Sequence, residues 1–359
     1  MAGAEERAES RGLGAAGQGA AERGKRAGFG ADEPETTGSE TAESETAEAA
    51  AADSGTADFG TADFGATEFE ATEFEAQRRY LGAVAYRMLG SFADAEDVLQ
   101  EAWLRWRGVD HAAVENPRGY LTAVVTRLCY DQLGSARARR EAYFGEWLPE
   151  PLVDDAPGPQ DRAEVGEEVS LAVMALLERL SPAERAAFVL HDVFGVDFPM
   201  IAVALERSDA AVRQLASRAR KQIKDGAPRR TVDRAAHRQA VEAFAAAVAH
   251  GDIMGLMKVL DPATVWRADG GGNVSAGVRP IYGAVKVARL IAGLTKRFLV
   301  PGVTSRLVEV NGEPGLAMYD PDGTPLGVLA FCVDDSGLIT QTQIVVNPEK
   351  LTRIAARTA

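Results

Sequence analysis

Two short apolar-striped segments, about 197–205 and 209–224, are separated by only Glu206-Arg207-Ser208, and no other feature limits the fold of this chain as sharply. A helix, a three-residue turn and a second helix at this spacing make a helix-turn-helix. Ala202 is small where a crossing helix must approach, and Val212, Leu215, Ala219 and Ile223 recur on the inward face of the second segment. Its outward face presents Arg213, Gln214, Ser217, Arg218, Arg220, Lys221 and Lys224.

That outward face is basic: five Lys or Arg stand against the single acid Asp209 across 209–224, and Arg229 and Arg230 follow. Arg and Gln near the start of the second helix suit base edges in a major groove, and the later Arg and Lys suit phosphates. The turn position that such units usually fill with glycine is Glu206, which predicts a strained turn or a carboxylate near phosphate.

A formal charge of −14 argues against a nucleic-acid partner only if the acids are spread evenly. They are not. Residues 1–76 contain 18 Asp or Glu and 5 Lys or Arg, a net of −13, so the remainder is close to neutral. Residues 1–71 are rich in Ala, Gly, Glu, Thr and Ser, and Phe59, Phe64, Phe69 and Phe74 recur every five residues, a period of neither helix nor strand. An acidic, disordered low-complexity tail is expected there. Cys129 and Cys332 are the two cysteines, which excludes a disulfide framework or a zinc spacing, and no cofactor or metal site is expected. No basic start precedes an apolar core, and no run approaches the roughly 18 apolar residues of a membrane helix, so a cytoplasmic location is expected.

From Phe74 the pattern becomes helical. Tyr80, Leu81, Val84, Ala85, Met88 and Leu89 form one stripe, ended by Gly90. Ser91 and Asp94 open a second helix with the stripe Ala95, Val98, Leu99, Ala102, Trp103 and Trp106, and Asn116 before Pro117 opens a third with Tyr120, Leu121, Val124, Val125 and Leu128. Residues 141–164, acidic and punctuated by Pro and Gly, read as a linker. Helical periodicity resumes with Val169, Ala172, Val173, Leu176, Leu177 and Leu180, and Ser181-Pro182-Ala183-Glu184 is a capping box. Beyond Arg230 a helix near 234–250 leads into β-branched runs at 264–268, 303–310, 315–319, 326–333 and 338–346, with a helix near 282–298 after the first. These predict an α+β unit distinct from the helical part.

The stretch Tyr86 to Trp106, YRMLGSFADAEDVLQEAWLRW, resembles regions 2.1 and 2.2 of extracytoplasmic-function sigma factors; 116–140 resembles their regions 2.3 and 2.4, and 165–224 their region-4 domain. The resemblance implies a multidomain protein with a region-2 domain over 72–140, a linker over 141–164 and a region-4 helix-turn-helix domain over 165–227. It further implies binding to core RNA polymerase through Asp94, Glu96, Asp97, Gln100, Glu101 and Trp103. Tyr120, Arg127, Asp131, Arg137, Arg139 and Arg140 would meet a melted −10 promoter element, where aromatics stack on unpaired bases and guanidinium groups track the strand. The second helix of the helix-turn-helix would read the −35 element.

Residues 233–346 resemble SnoaL-like domains, α+β cones related to NTF-like proteins, followed by a tail over 347–359. Three segments resemble the signature of the SigJ-like sigma factors that carry this extension: Tyr143 to Pro151 (YFGEWLPEP), Asp269 to Val274 (DGGGNV) and Asn347 to Leu351 (NPEKL). Trp147, with Phe144, reads as an apolar anchor flanked by Leu148, Pro149, Glu150 and Pro151. Asp269 with Gly270, Gly271 and Gly272 reads as a turn that backbone can approach closely. The group usually has a basic residue at Asn273, which weakens a salt bridge there to Glu146 or Glu150. With Asn347, Pro348, Glu349, Lys350 and Leu351, these segments are expected to regulate the sigma domains in cis. None of His111, His191, His237 and His250 lies in the expected sheet, and catalysis is not expected. A polymerase-independent DNA-binding regulator, and a cone that senses or turns over a small ligand, are the alternatives.

Overall fold

The computed structural model describes residues 61–141, 143–154, 169–226, 232–274, 276–298 and 302–355; the expected tail up to residue 60 and the linker residues 155–168 lie outside them. Helix α1 (Thr61–Leu89) starts ten residues before the boundary expected at 71. Ala62, Ala66, Glu68, Glu70 and Ala71 in the intervening sequence favour helix. Phe74, one of the five-spaced phenylalanines, is buried against Trp103 with ring centroids 5.2 Å apart. The stripe Tyr80, Leu81, Val84, Ala85, Met88 and Leu89 is buried as expected, and Gly90 ends the helix at φ 70°.

Ser91 caps α2 (Phe92–Arg107) by accepting from the Asp94 amide, and Asn116 Oδ1 accepts from the Gly119 amide at 3.0 Å to start α3 (Pro117–Glu141). Then come α4 (Leu171–Leu177) and α5 (Pro182–Phe188), the latter entered by the expected capping box. A π-turn over Val189–Val193, absent from the periodicity, leads to the crossing pair α6 (Phe198–Ala204) and α7 (Asp209–Gly226). Residues from α1 to α7 share one apolar core. Tyr80 meets Phe194 edge-on at 5.4 Å, so the two helical units are packed together rather than strung on a linker.

Helices α8 (Arg234–Ala249), α9 (Ile253–Val259) and α10 (Ala284–Phe298) lie on a seven-stranded sheet. Its strands are β1 (Val153–Asp154), β2 (Leu260–Asp269), β3 (Ile281–Tyr282), β4 (Thr304–Val310), β5 (Glu313–Tyr319), β6 (Pro325–Val333) and β7 (Ile339–Val345), ordered β1-β4-β5-β6-β7-β2-β3. Among the described residues, only β2 and β7 pair in parallel. This is the α+β cone expected. Strands alternate between two buried faces: Trp266, Leu316, Leu329, Phe331 and Ile344 pack in one cluster with Val241 and Ile291 of the helices. Val308, Ala317, Val328, Ala330 and Val345 face the other way, against Leu148, Leu171, Leu351 and Ile354.

That second face holds parts of the expected linker and of the segment after residue 346. The linker is not a mere connector, because Val153 pairs with Val310 to add the edge strand β1. In the tail that follows residue 346, Leu351 and Ile354 are buried on the sheet. Both segments are too short and too polar to show period-two alternation, and only the apolar sheet face beneath them gives them a place.

Candidate nucleic-acid interface and interdomain junction

In α7, Val212, Leu215, Ala216 and Ala219 are buried while Arg213, Gln214, Ser217, Arg218, Arg220, Lys221 and Lys224 are exposed. Three of the arginines are already engaged. Arg213 contacts Asp209 at 3.1 Å and stacks over Phe198, Arg218 reaches Glu184 at 2.8 Å, and Arg220 reaches Asp192 at 2.6 Å. Burial works against the Glu184 carboxylate, but hydrogen bonds from Arg218 and Ser181 outweigh it and hold the group below its ordinary range. The stability this lends is present at neutral pH and lost as pH falls through the lowered value, which also releases Arg218.

Glu206 takes φ 53° in the turn, the left-handed conformation expected of a glycine. Its carboxylate accepts from Arg127 of α3 at 2.6 Å. A residue expected to meet single-stranded DNA is thus held by the turn of the helix-turn-helix. Glu206→Gly should remove about 1 kcal/mol of backbone strain and lose an exposed ion pair worth no more than that. Thermal melting is expected to stay level or rise slightly. A clear fall in melting temperature would contradict this account of the turn.

The other expected −10 contacts are spread along α3. Tyr120 is half-buried against Trp106, with ring centroids 5.8 Å apart, and Asp131 is exposed. Arg137, Arg139 and Arg140 lie on the last turns of α3, with side chains outside the described residues. On α2, Asp97, Gln100 and Glu101 are exposed, the last paired with Arg105 at 3.0 Å. Glu96 is paired with Arg78, Asp94 accepts from Gln132 at 3.5 Å, and Trp103 packs on Phe74. Leu104, 60% exposed beside this acidic face, lies off the apolar stripe and was not singled out by periodicity.

The three signature segments meet at Asp269. This residue ends β2 and is fully buried, which corrects the expectation of a turn carboxylate; the glycines that follow make the turn instead. Its oxygens accept from the Tyr143 hydroxyl (2.6 Å), the Leu148 amide (2.8 Å), the Lys350 ammonium (2.8 Å) and the Gly271 amide (3.1 Å). Lys350 also donates to the Leu148 carbonyl at 2.5 Å, and its ammonium lies 4.1 Å from the Trp147 ring centre. Asn347 donates to Tyr143 at 2.9 Å and accepts from the Glu349 amide at 3.2 Å. A Cβ on Gly271, at φ 63°, would lie 2.4 Å from Asn347 Nδ2, so glycine is required there. Burial and the adjacent Asp269 push the Tyr143 hydroxyl up. Four donors thus converge on the two carboxylate oxygens of Asp269.

The anchor of the linker is Leu148, 1% exposed, with Pro149 and Pro151 also buried; Phe144 is 67% exposed, which corrects its reading as part of the anchor. Trp147 fits over Gly90, where a Cβ would lie 2.9 Å from the indole. Glu150 bridges to α1 and α2: its amide donates to the Gly90 carbonyl (3.0 Å) and its carboxylate accepts from the Phe92 amide (2.8 Å). Tyr86 donates to the Glu150 carbonyl at 2.6 Å and accepts from Asn311 at 2.9 Å, which ties α1 to the β4–β5 turn. Glu146 pairs with Arg267 rather than with position 273, where Asn273 reaches Glu349 at 3.5 Å. Pro348 opens the short 3-10 turn that carries Lys350. Gly270 is buried and Gly272 lies against Phe144. Arg267 and Asn311 are contacts that no sequence pattern marked.

Residues 74–139 match the family model for sigma-70 region 2, and residues 170–223 the model for sigma-70 region 4. The chain is 45% identical over 290 residues to the "ECF RNA polymerase sigma factor SigJ" of Mycobacterium tuberculosis (strain ATCC 25618 / H37Rv), covering 77% of this chain and 91% of that protein. It is 34% identical over 283 residues to the "Probable ECF RNA polymerase sigma factor SigI" of Mycobacterium tuberculosis (strain CDC 1551 / Oshkosh), covering 78% and 94%. Among solved structures, the crystal structure of Mycobacterium tuberculosis extracytoplasmic function sigma factor SigJ is similar at a TM-score of 0.64 and 38% identity, over 81% of this chain and all of that one.

Proposed function

The chain belongs to the extracytoplasmic-function sigma factors, in the SigJ-like group with a C-terminal extension, and from that premise we propose that it binds core RNA polymerase, directs it to promoters, and is restrained by its own cone. The convergence of linker, sheet and C-terminal segment on Asp269 carries the restraint. A protein that reads a melted element with one domain and a duplex element with another must hold the two apart. Here α1 and α3 share a core with α5–α7, and Arg127 is bound to Glu206. The linker that would have to lengthen is pinned at Leu148. Engagement of polymerase therefore competes with docking of the cone, which takes the place of a separate inhibitory subunit. The extension acts as a regulator and not as an enzyme, since the one deeply buried carboxylate among its described residues, Asp269, is consumed by the dock.

The assay is single-round transcription with core polymerase, comparing the full chain with a chain ending at residue 346, which lacks Lys350, Leu351 and Ile354. Promoter-directed transcript is expected from both and more from the shorter. No transcript from either would sink the reading. Trp147→Ala removes the contact over Gly90 and a cation–π interaction of about 1–2 kcal/mol, and should raise transcription and enlarge the scattering envelope. An unchanged envelope with unchanged transcript would count against the dock.

A further inference from the structure

Residues 270–308 contain no Asp or Glu and six Lys or Arg, in a chain with 53 acids among 359 residues. At that density the stretch would carry roughly six acids. Helix α10 is its centre. Val287, Ala288 and Ile291 are buried toward the sheet, while Lys286, Arg289, Gly293 and Lys296 are exposed. Positions i, i+3, i+7 and i+10 share one face, so three cations line about 15 Å of helix, with Arg297 at its end. Among the described residues no ion pair engages Lys286, Arg289 or Lys296, whereas Arg213, Arg218 and Arg220 of α7 each have an acid.

Gly293 is an independent observation. A glycine inside a helix is destabilising relative to alanine. A Cβ at Gly293 would meet nothing within 4 Å, so packing inside the protein does not require it. It leaves backbone open between Arg289 and Lys296, where a ridge from outside can approach closely.

We propose that the solvent face of α10 is a second nucleic-acid contact, which binds the phosphate backbone of duplex DNA without regard to sequence. Duplex DNA carries one charge per about 1.7 Å of axis, so about 15 Å of helix faces a row of phosphates dense enough to engage each cation. Helix α10 packs on the sheet face opposite the one that carries Leu148 and Leu171. The contact therefore remains open while Arg127 and the α7 arginines are engaged within the protein. It would hold the packed form on non-promoter DNA, which goes beyond the promoter reading assigned to α7.

The test is fluorescence anisotropy of the full-length chain on a non-promoter duplex of about 30 bp between about 50 and 200 mM salt. The triple variant Lys286→Ala/Arg289→Ala/Lys296→Ala is expected to bind at least about tenfold more weakly at the low-salt end, with a log–log salt slope shallower by about 2–3. Gly293→Glu should weaken binding while raising the melting temperature, a combination that misfolding does not produce. Parent-like binding by both variants overturns the proposal. So does loss of binding in Lys221→Ala/Lys224→Ala with none in the α10 variants, which would place the contact on α7. Competition by polyglutamate as strong per charge as by DNA also overturns it, and points to an acidic protein partner.

Discussion

Asp269→Ala is expected to undock the linker and C-terminal segment from the sheet at a cost of about 3–5 kcal/mol, the range for removing one partner of a buried ion pair. Asp269 is fully buried and Lys350 nearly so, and the substitution withdraws the countercharge of a buried ammonium together with the acceptor of the Tyr143 hydroxyl and the Leu148 amide. The radius of gyration in solution should grow, proteolysis within 143–154 should quicken, and promoter-directed transcription should rise as the sigma domains separate. Asp269→Asn keeps the shape and loses the charge, so it should fall between alanine and the parent. Because Asp269 and Lys350 act as a unit, Asp269→Asn with Lys350→Gln should cost clearly less than the two singles added together. Additive effects, or an Asp269→Ala protein with the parent's radius and transcript, would show that the dock does not restrain the sigma domains.

Arg185→Ala should have a comparable effect at the other joint. Its side chain is 2% exposed and its guanidinium donates twice to the Arg87 carbonyl, at 3.2 and 3.1 Å, and once to Glu178 at 2.5 Å. Arg87 is the third residue from the end of α1, so this fork fastens α5 to the end of α1. Breaking such a pair costs about 3–5 kcal/mol, which corresponds to a melting midpoint lower by roughly 6–20 °C for a unit of about 150–250 residues. Calorimetry should resolve two transitions where the parent gives one, since the helical units lose their common joint. Arg185→Lys should not restore the single transition, because an ammonium cannot reproduce a planar fork to two acceptors. A midpoint within about 2 °C of the parent would rule out the joint as a source of stability.

The helices and the exposed basic face of α7 were legible because both are written in short-range order. A 3.6-residue apolar period, a capping box at Ser181 and Glu184, and a three-residue turn each lie within one or two turns of chain. Glu206 was marked as a misfit where glycine is usual, and its φ of 53° is the strain that misfit implies. Three features were missed: the edge strand at Val153–Asp154, the burial of Leu351 and Ile354, and the start of α1 at Thr61. The first two are held by a sheet face built from residues more than 150 positions away for β1 and from a different hairpin for the C-terminal segment. No local apolar period marks them as covering a sheet face.

Asp269 divides the two kinds of information most clearly. Asp269, the Trp147 segment and the Asn347–Leu351 segment stand out in the chain, because a carboxylate before three glycines and a tryptophan among prolines are unusual local patterns, and resemblance groups them. What they do together follows from the packing of distant segments. Whether a carboxylate is a solvated turn or a buried hub depends on whether donors distant in the chain are brought within about 3 Å of it, and that is set by β2 pairing with β7, whose end carries Asn347 and Lys350 to the same place. The same holds for Arg127: its charge is local, but its partner, Glu206, is chosen by how two helical units pack.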